Sequence, residues 1–509
     1  MMRFYLAVRV GSLVAILGLA ACAVLHPAAP PQLLEQTDTP NDASAFLEDI
    51  EHKTFDFFWV NANPKNGLVP DRYPTRTFAS LAAVGFALTA YPIGVERGYV
   101  SRAEARDRVL KTLRFFRDAP QGTGAKGFSG YKGFYYHFLD METGARFNEQ
   151  SDLSMIDTSL LIAGVLFCEN YFDGSDPEEK ELRKIADWLY RRIDWGWASR
   201  DDGVVALGWS PELGFHQRNW RGYNESSIMY ILGLGSPTAP MPASAWQSYT
   251  STFDFHWVNE GEWYLAFAPL FGHQFSHVWI DFRDIRDAYM RGKGIDYFDN
   301  TRRAIYAQRS YVIANPMKWV GYSSRLWGIT ASDGPVDAKL EYNGEIRMFH
   351  AYAARGAGGA QNYDDGTLAA NAVAGALPFT PEIAIPTLRL MKEQYGKYIY
   401  STFGFVDAFN PSFRYEDIKL RYGHVVPDVG WVDSDYLGID EGVIVTMIEN
   451  FRSGLVWRVM RRSPYVRRGL ERAGFQGGWL DTKESNRKLG VLTQPISPRM
   501  GVLASDTND

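Results

Sequence analysis

The sequence predicts an all-α fold, and three observations carry that expectation. Almost wholly apolar helical segments, such as Phe78–Tyr91 and Ser154–Tyr171, alternate with amphipathic ones. Long loops rich in Tyr, Phe and Trp join them. Neither a βαβ alternation nor a Gly-rich nucleotide loop is seen. Helices in two concentric rings would explain the alternation, because an inner helix is buried on both sides and an outer one on a single side. An irregular helical bundle satisfies the same periodicity.

Each element has its own signal. A first helix begins near Asn41 or Asp42, with Phe46, Ile50, Phe57 and Phe58 as its apolar stripe. Ser101-Arg102-Ala103-Glu104 is a capping box that opens a helix carrying Leu110, Leu113 and Phe116. Gly124–Phe147 reads as loop and hairpin. Asp176-Pro177 with Glu179 opens a helix that carries Leu182, Ile185, Leu189 and Ile193. Gly203–Gly214 reads as a hairpin. Further helices are expected over Glu262–Phe271, Phe298–Ile313 (capped by Asp296), Asp365–Leu377, Thr380–Gly396, Glu441–Phe451 and Leu455–Arg461. Short hairpins and aromatic loops would then surround a central cleft at the helix ends.

Composition narrows the function. The 509 residues carry a formal net charge of −6 and show no basic run before the last hundred, which argues against nucleic acid as a partner. A 46% hydrophobic content excludes global disorder and provides a sizeable core. The 15% aromatic content fits a cleft with flat platforms for sugar rings. At the N-terminus, Arg3 and Arg9 accompany an apolar Val10–Ala20, which ends in Leu19-Ala20-Ala21-Cys22. This pattern resembles a bacterial lipobox: residues 1–22 are expected to be a signal peptide and Cys22 a lipidated first mature residue. Ala23 follows instead of Asp, so an exported, periplasmic or outer-membrane-anchored lipoprotein is expected. Residues 23–42 read as a Pro- and Ala-rich tether, 43–475 as one catalytic domain and 476–509 as a polar tail. The one remaining cysteine, Cys168, rules out an internal disulfide framework and a cysteine-based metal site.

The chemistry centres on Arg221-Gly222-Tyr223-Asn224-Glu225-Ser226-Ser227-Ile228-Met229-Tyr230. Asn224 reads as a helix N-cap, which puts Glu225 in the first turn of an apolar helix. Trp209, Phe215, Trp220 and Tyr223 crowd around it. A carboxyl group there either complements the helix dipole or serves as an acid in a sugar-binding cleft. Three other acidic positions lie beside glycine or aromatic residues: Asp157, Asp407 and Asp440-Glu441. Glycoside hydrolysis needs two carboxyl groups across the bond, one protonated and one ionised. Asp440 and Glu441 read more simply as an N-cap and a first-turn charge. His273 and His277 stand at i, i+4 but have no evident third ligand, so neither a metal nor a cofactor is expected.

These motifs resemble a known family, the glycoamylase-like domain of glycoside hydrolase family 144, which includes bacterial endo-β-1,2-glucanases. The likeness runs from Phe46 to Arg461 through Phe55-Asp56-Phe57-Phe58-Trp59, Trp209-Ser210-Pro211, Arg221-Gly222-Tyr223-Asn224-Glu225, Trp327-Gly328-Ile329-Thr330-Ala331-Ser332 and Gly404-Phe405-Val406-Asp407-Ala408-Phe409. The resemblance implies an (α/α)6 toroid, anomeric inversion and a β-1,2-glucan substrate, most simply cleaved endo by a monomer. By position it implies Glu225 as general acid and Asp407 as general base. Asp157, Tyr223, Arg221, Trp220, Trp209, Trp327 and His137 are then expected to contact the sugar. Some relatives carry a Gly-Gly-Asp just before the acidic residue that matches Asp157, where this chain reads Leu153-Ser154-Met155-Ile156-Asp157, which leaves endo versus exo action open. A transglycosylase or a cyclic-glucan-acting enzyme of the same toroid would keep Glu225 and differ in the loops around the cleft. A non-catalytic glucan-binding lipoprotein would keep the aromatics and dispense with the acid.

Overall fold

The computed structural model describes residues 40–253, 255–259, 262–357 and 363–481. The expected signal peptide, Cys22, most of the tether and the chain beyond 481 lie outside the described residues. Among the described residues, no helix is long and apolar enough to cross a membrane.

The helices form an (α/α)6 toroid, and burial separates its two rings. The inner ring contains Leu81–Arg97, Met155–Tyr171, Ser227–Gly235, Phe271–Trp279, Ala370–Ala374 and Gly438–Arg452, each buried over most of its length. Around it lie Pro40–Asn61, Arg102–Asp118, Pro177–Arg191, Tyr297–Ala314, Pro381–Ile399 and Pro464–Arg472. Arg102–Asp118, Pro177–Arg191 and Pro464–Arg472 bury only one stripe. The expected capping box is present: Ser101 accepts from the Glu104 N–H, and Glu104 accepts from the Ser101 N–H in return.

The inner helices cross closely because small residues stand at the crossing. A Cβ on Gly85 would come 2.3 Å from the Leu160 carbonyl oxygen, and one on Gly164 would come 2.2 Å from that of Gly85. The ring closes where its two ends meet. Pro40–Asn61 and Leu81–Arg97 both pack on Gly438–Arg452, and Arg72-Tyr73 pairs antiparallel with Tyr436-Leu437.

Several local expectations need correction. Glu262–Leu265 is a strand paired with Phe255–Asn259, and the helix starts only at Phe271. Trp263 and Tyr264 favour a pleated chain, and pairing satisfies the backbone that a short helix would leave open. The Asp365–Leu377 segment is helical only over Ala370–Ala374, because Gly366 takes φ +85° and Asp365 is drawn to Arg355. Asn224 does not cap a helix: the helix begins at Ser227, and Glu225 stands just before it. Asp440 is no N-cap either, since Leu437 holds that position and Asp440 lies within the first turn. The Pro464–Arg472 helix was not anticipated, although Ser463 as cap and Pro464 at its start announce it. Past Phe475 the chain still packs, with Gln476 bridged to Arg286 and Trp479 Nε1 donating to the Asp281 carbonyl at 2.8 Å.

Candidate active site

A cavity of about 370 Å³ opens at the ends of the inner helices. Its lining includes His137, Asp152, Asp157, His216, Trp220, Glu225, Phe271, Phe275, Tyr352 and Asp440. Carboxyl groups thus stand on two walls, with aromatic and apolar surface between them.

The first wall is built on a five-stranded antiparallel sheet. Tyr136 pairs with Leu153, and the His137 N–H donates to the Asp152 carbonyl at 2.9 Å, which brings the two segments side by side. Ser154 then caps the Met155–Tyr171 helix by accepting from the Asp157 N–H at 3.1 Å, and its hydroxyl donates to the Asp157 carboxylate. His137 Nε2 lies 3.5 Å from Asp157 Oδ2, and His216 Nε2 lies 2.5 Å from Asp152 Oδ2.

Glu225 projects into the same space. Asn224 Oδ1 accepts from the Ser226 N–H at 2.9 Å, and Ser276 Oγ donates to the Glu225 carbonyl at 2.7 Å. These bonds fix the backbone, and Glu225 Oε2 is buried without a partner. Burial raises its pKa to about 7; its own N–H pulls the other way and the Asp157 charge adds to the rise. Desolvation therefore outweighs the helix terminus, and Glu225 keeps its proton close to neutral pH.

Asp440 brings a buried acidic cluster to the same cavity. Asp407 is 4% exposed and accepts the Asp333 N–H on Oδ2 at 2.7 Å, while its Oδ1 has no donor. Asp440, close enough for the Asp407 charge to act on it, accepts from Asn371 Nδ2. Burial raises the pKa of Asp407, and the nearby Asp333 charge raises it further. Asp440 is raised well above the carboxylate range, by burial and then by the Asp407 charge. Each of these carboxylates disfavours ionisation of the other. Tyr352 pairs with Asp333 across two strands and reaches over the cluster. Its side chain is exposed and lines the cavity, and its pKa is raised by desolvation and then by the charges of Asp440, Asp407, Asp71 and Asp333.

Arg72 supplies positive charge to this cluster. Its Nη1 lies 2.6 Å from Asp333 Oδ2 and 3.6 Å from Asp435 Oδ2. Asp333, Asp433 and Asp435 are the one group among the described residues whose carboxylates lie close enough together to hold a metal ion. Asp433 is held well above the usual carboxylate range by burial and by the charges of Asp333, Asp407 and Asp435. His273 and His277 are core residues. Burial lowers them to about 4 and about 3, and their Nε2 atoms meet the Phe267 carbonyl and the Thr301 hydroxyl, each at 3.1 Å.

The cleft gathers Glu225, Asp157, His137 and Trp220 from the expected set, and Trp220 Nε1 is buried without a protein partner. Asp407, as buried as Asp440, is not among the residues that line this cavity. Arg221 turns away to the Ala245–Thr250 helix, donating to Ser251 Oγ at 2.8 Å and to Asp202. Tyr223 is 8% exposed and stacks on Tyr297 with centroids 6.1 Å apart. Trp209 packs against Tyr131 and Trp197, and Trp327 is fully buried. Sequence reasoning missed Asp152, Tyr352 and the role of His216. Their signal was spatial, since strand pairing brings these residues to one rim from distant positions.

A helical toroid with an aromatic cleft lined by several carboxyl groups is the architecture of a class of glycoside hydrolases. Residues 217–464 match the Glycoamylase family model, described as "Putative glucoamylase". A solved structure from Bacteroides fragilis NCTC 9343 under the same description is 30% identical; the match covers 86% of this chain and 98% of that one, with a TM-score of 0.72. The chain belongs to this glycoamylase-like family. It is also similar to an endo-beta-1,2-glucanase from Chitinophaga pinensis, solved with sophorotriose and glucose, at 27% identity over 86% of this chain and 99% of that chain, TM-score 0.72. A curated relative from Parabacteroides distasonis, "Exo beta-1,2-glucooligosaccharide sophorohydrolase (non-reducing end)", is 27% identical over 473 residues, 87% of this chain. The chain spans 59% of the length of that relative.

Proposed function

We propose that this protein hydrolyses β-1,2-glucan, cutting within the chain and inverting the anomeric centre. The observation that carries the reading is Glu225: a carboxyl group in the cleft whose Oε2 is buried without a partner and whose pKa is raised to about 7, in a cavity that Asp440 also lines. Glu225 protonates the leaving glycosidic oxygen, and Asp407 is the ultimate acceptor of the proton from the attacking water. His137, Asp157 and Trp220 bind the sugar beside the acid. The similarity to the Chitinophaga pinensis endo-glucanase favours the linkage and the endo mode.

One observation favours a second reading. The Parabacteroides distasonis relative is named as an exo-acting enzyme, so release of disaccharide from the non-reducing end is the alternative. Product analysis on linear β-1,2-glucan separates the readings. A ladder of intermediate chains is expected. Sophorose alone from the first minutes would indicate exo action, rearranged or cyclised chains would indicate transglycosylation, and an unchanged substrate would refute hydrolysis.

We further propose that the protein is exported and held at the outer membrane through Cys22, acting as a monomer. The lipobox and the tether after it support this reading. Cys22→Ser is expected to move the protein from the membrane to the soluble fraction. Identical fractionation of variant and wild type would exclude the anchor.

A further inference from the structure

A row of stacked rings leads away from the cleft. His137, in the cleft lining, lies on Phe138 with centroids 3.9 Å apart, Phe138 lies on Phe78 at 3.9 Å, and Phe78 on Phe147 at 5.0 Å. Phe78, Phe138 and Phe147 stand apart from the hydrophobic core. The last of them, Phe147, is 39% exposed. It is not filling the interior; it turns a flat apolar surface to water.

Phe147 lines a second cavity, of about 600 Å³, together with Lys126, Asn148, Glu149 and Gln150. The rim of this cavity is braced. Arg146, itself buried, donates to the Ser151 and Glu149 carbonyls at 2.7 Å each and to Glu212 at 2.8 Å. Asn148 Oδ1 accepts from the N–H groups of Gln150 and Ser151, both at 3.0 Å. The Arg146 N–H donates to the Phe128 carbonyl at 2.8 Å, which ties this rim to the segment that carries Lys126. The loop is thus held in place with Phe147 exposed. The same loop runs on to Asp152, which lines the cleft. The two cavities are therefore joined twice, by the row of rings and by residues 147–152.

We propose that the second cavity is a remote subsite for the glucan chain, with Phe147 as its stacking platform. The proposal rests on the reading of the cleft as a β-1,2-glucanase site. Continuity names the occupant: a chain that touches His137 and continues along the rings arrives at Phe147. The chemistry agrees. A pyranose has apolar C–H patches on its ring faces and hydroxyl groups around its edge. A flat ring beside two amides, a carboxylate and an ammonium group meets both. Such a subsite grips residues that a short substrate lacks, so it favours long chains and serves cutting within them.

The test compares long linear β-1,2-glucan with the shortest gluco-oligosaccharide that the protein cleaves. In Phe147→Ala the ratio of kcat/KM for the long substrate to that for the short one should fall about 3- to 10-fold, the loss expected for one stacked ring. The change should appear mostly in the KM for the long chain. Phe147→Trp should keep or raise the ratio. Phe147→Leu, apolar but not flat, should lower it as Ala does. Calorimetric titration of Glu225→Gln with the long glucan, with and without Phe147→Ala, should read the same loss as a weaker Kd in the absence of turnover. Gln150→Ala serves as a second variant should Phe147→Ala fold poorly, and the ratio should fall there too. An unchanged ratio in folded variants overturns the subsite. So does an equal fall on both substrates, which would assign the ring to the fold. A folded wild type that neither binds nor cleaves β-1,2-glucan would instead overturn the glucanase reading, and the subsite with it.

Discussion

Glu225→Gln lowers kcat on β-1,2-glucan by about 10²–10⁴-fold, because the variant has no proton to give the leaving oxygen. The shape of the side chain is kept, so KM changes little. In the wild type the alkaline limb of the pH–rate profile should fall as pH rises through about 7, the value to which burial raises Glu225. Stability carries a second, independent signature. A carboxyl group whose folded pKa lies above its unfolded one binds more protons when folded, so its contribution to stability declines as pH rises from the unfolded value. The Gln variant lacks that decline. Its thermal midpoint should match the wild type in acid and exceed it above pH 7, and a midpoint lower than wild type at neutral pH would contradict the burial argument. Substantial turnover by folded, saturable Glu225→Gln protein would falsify the acid assignment.

Arg355→Met destabilises the protein by about 3–5 kcal/mol, the usual consequence of leaving one partner of a buried ion pair alone. Arg355 and Asp365 are both fully buried and paired twice, at 2.8 Å and 3.0 Å. Burial by itself would raise Asp365; the Arg355 charge and hydrogen bonds, with help from Thr367 and the His350 N–H, hold it below its ordinary value. Arg355 also donates to the carbonyls of Ser332, Asp333 and His350, which fixes the loop whose Asp333 N–H reaches Asp407. Urea midpoints would measure the loss. Arg355→Met/Asp365→Leu should recover much of it, since removing both charges removes the uncompensated one. A single variant within about 0.5 kcal/mol of wild type would show that the pair holds little.

The toroid was legible because its signal is repeated along the chain. Ser101 and Glu104, Asp176 and Pro177, and Asp296 before its helix all mark starts that the structure keeps. Helix starts set by backbone bonds at a distance were not legible. Asn224 has the composition of a cap, yet its side chain closes a turn around Ser226, and the helix waits until Ser227. The site divides in the same way. Glu225 was visible as an acidic residue in aromatic company. Asp440 looked like an ordinary first-turn charge, because nothing along the chain reveals that it will line the cleft. Trp327 and Tyr223 show the opposite failure: an aromatic residue beside a motif serves the core as readily as a cleft.

The two walls of the cleft belong to different stages of assembly. The acid wall is made by residues 137–225, joined by neighbouring strands and helices. The base wall sits on the seam where Arg72-Tyr73 meets Tyr436-Leu437 and the Gly438 N–H reaches the Asp71 carbonyl at 2.8 Å. That wall exists only when the first helix and the last inner one have found each other across most of the polypeptide. The entropy of such a closure grows only with the logarithm of the span, about 0.6 kcal/mol per doubling, so the distance along the chain is no great obstacle at equilibrium. Its effect is on timing: the acid can be in place on an open ring, whereas the base wall is completed by the act of closing it. The cleft is therefore complete only once the two ends of the chain have joined.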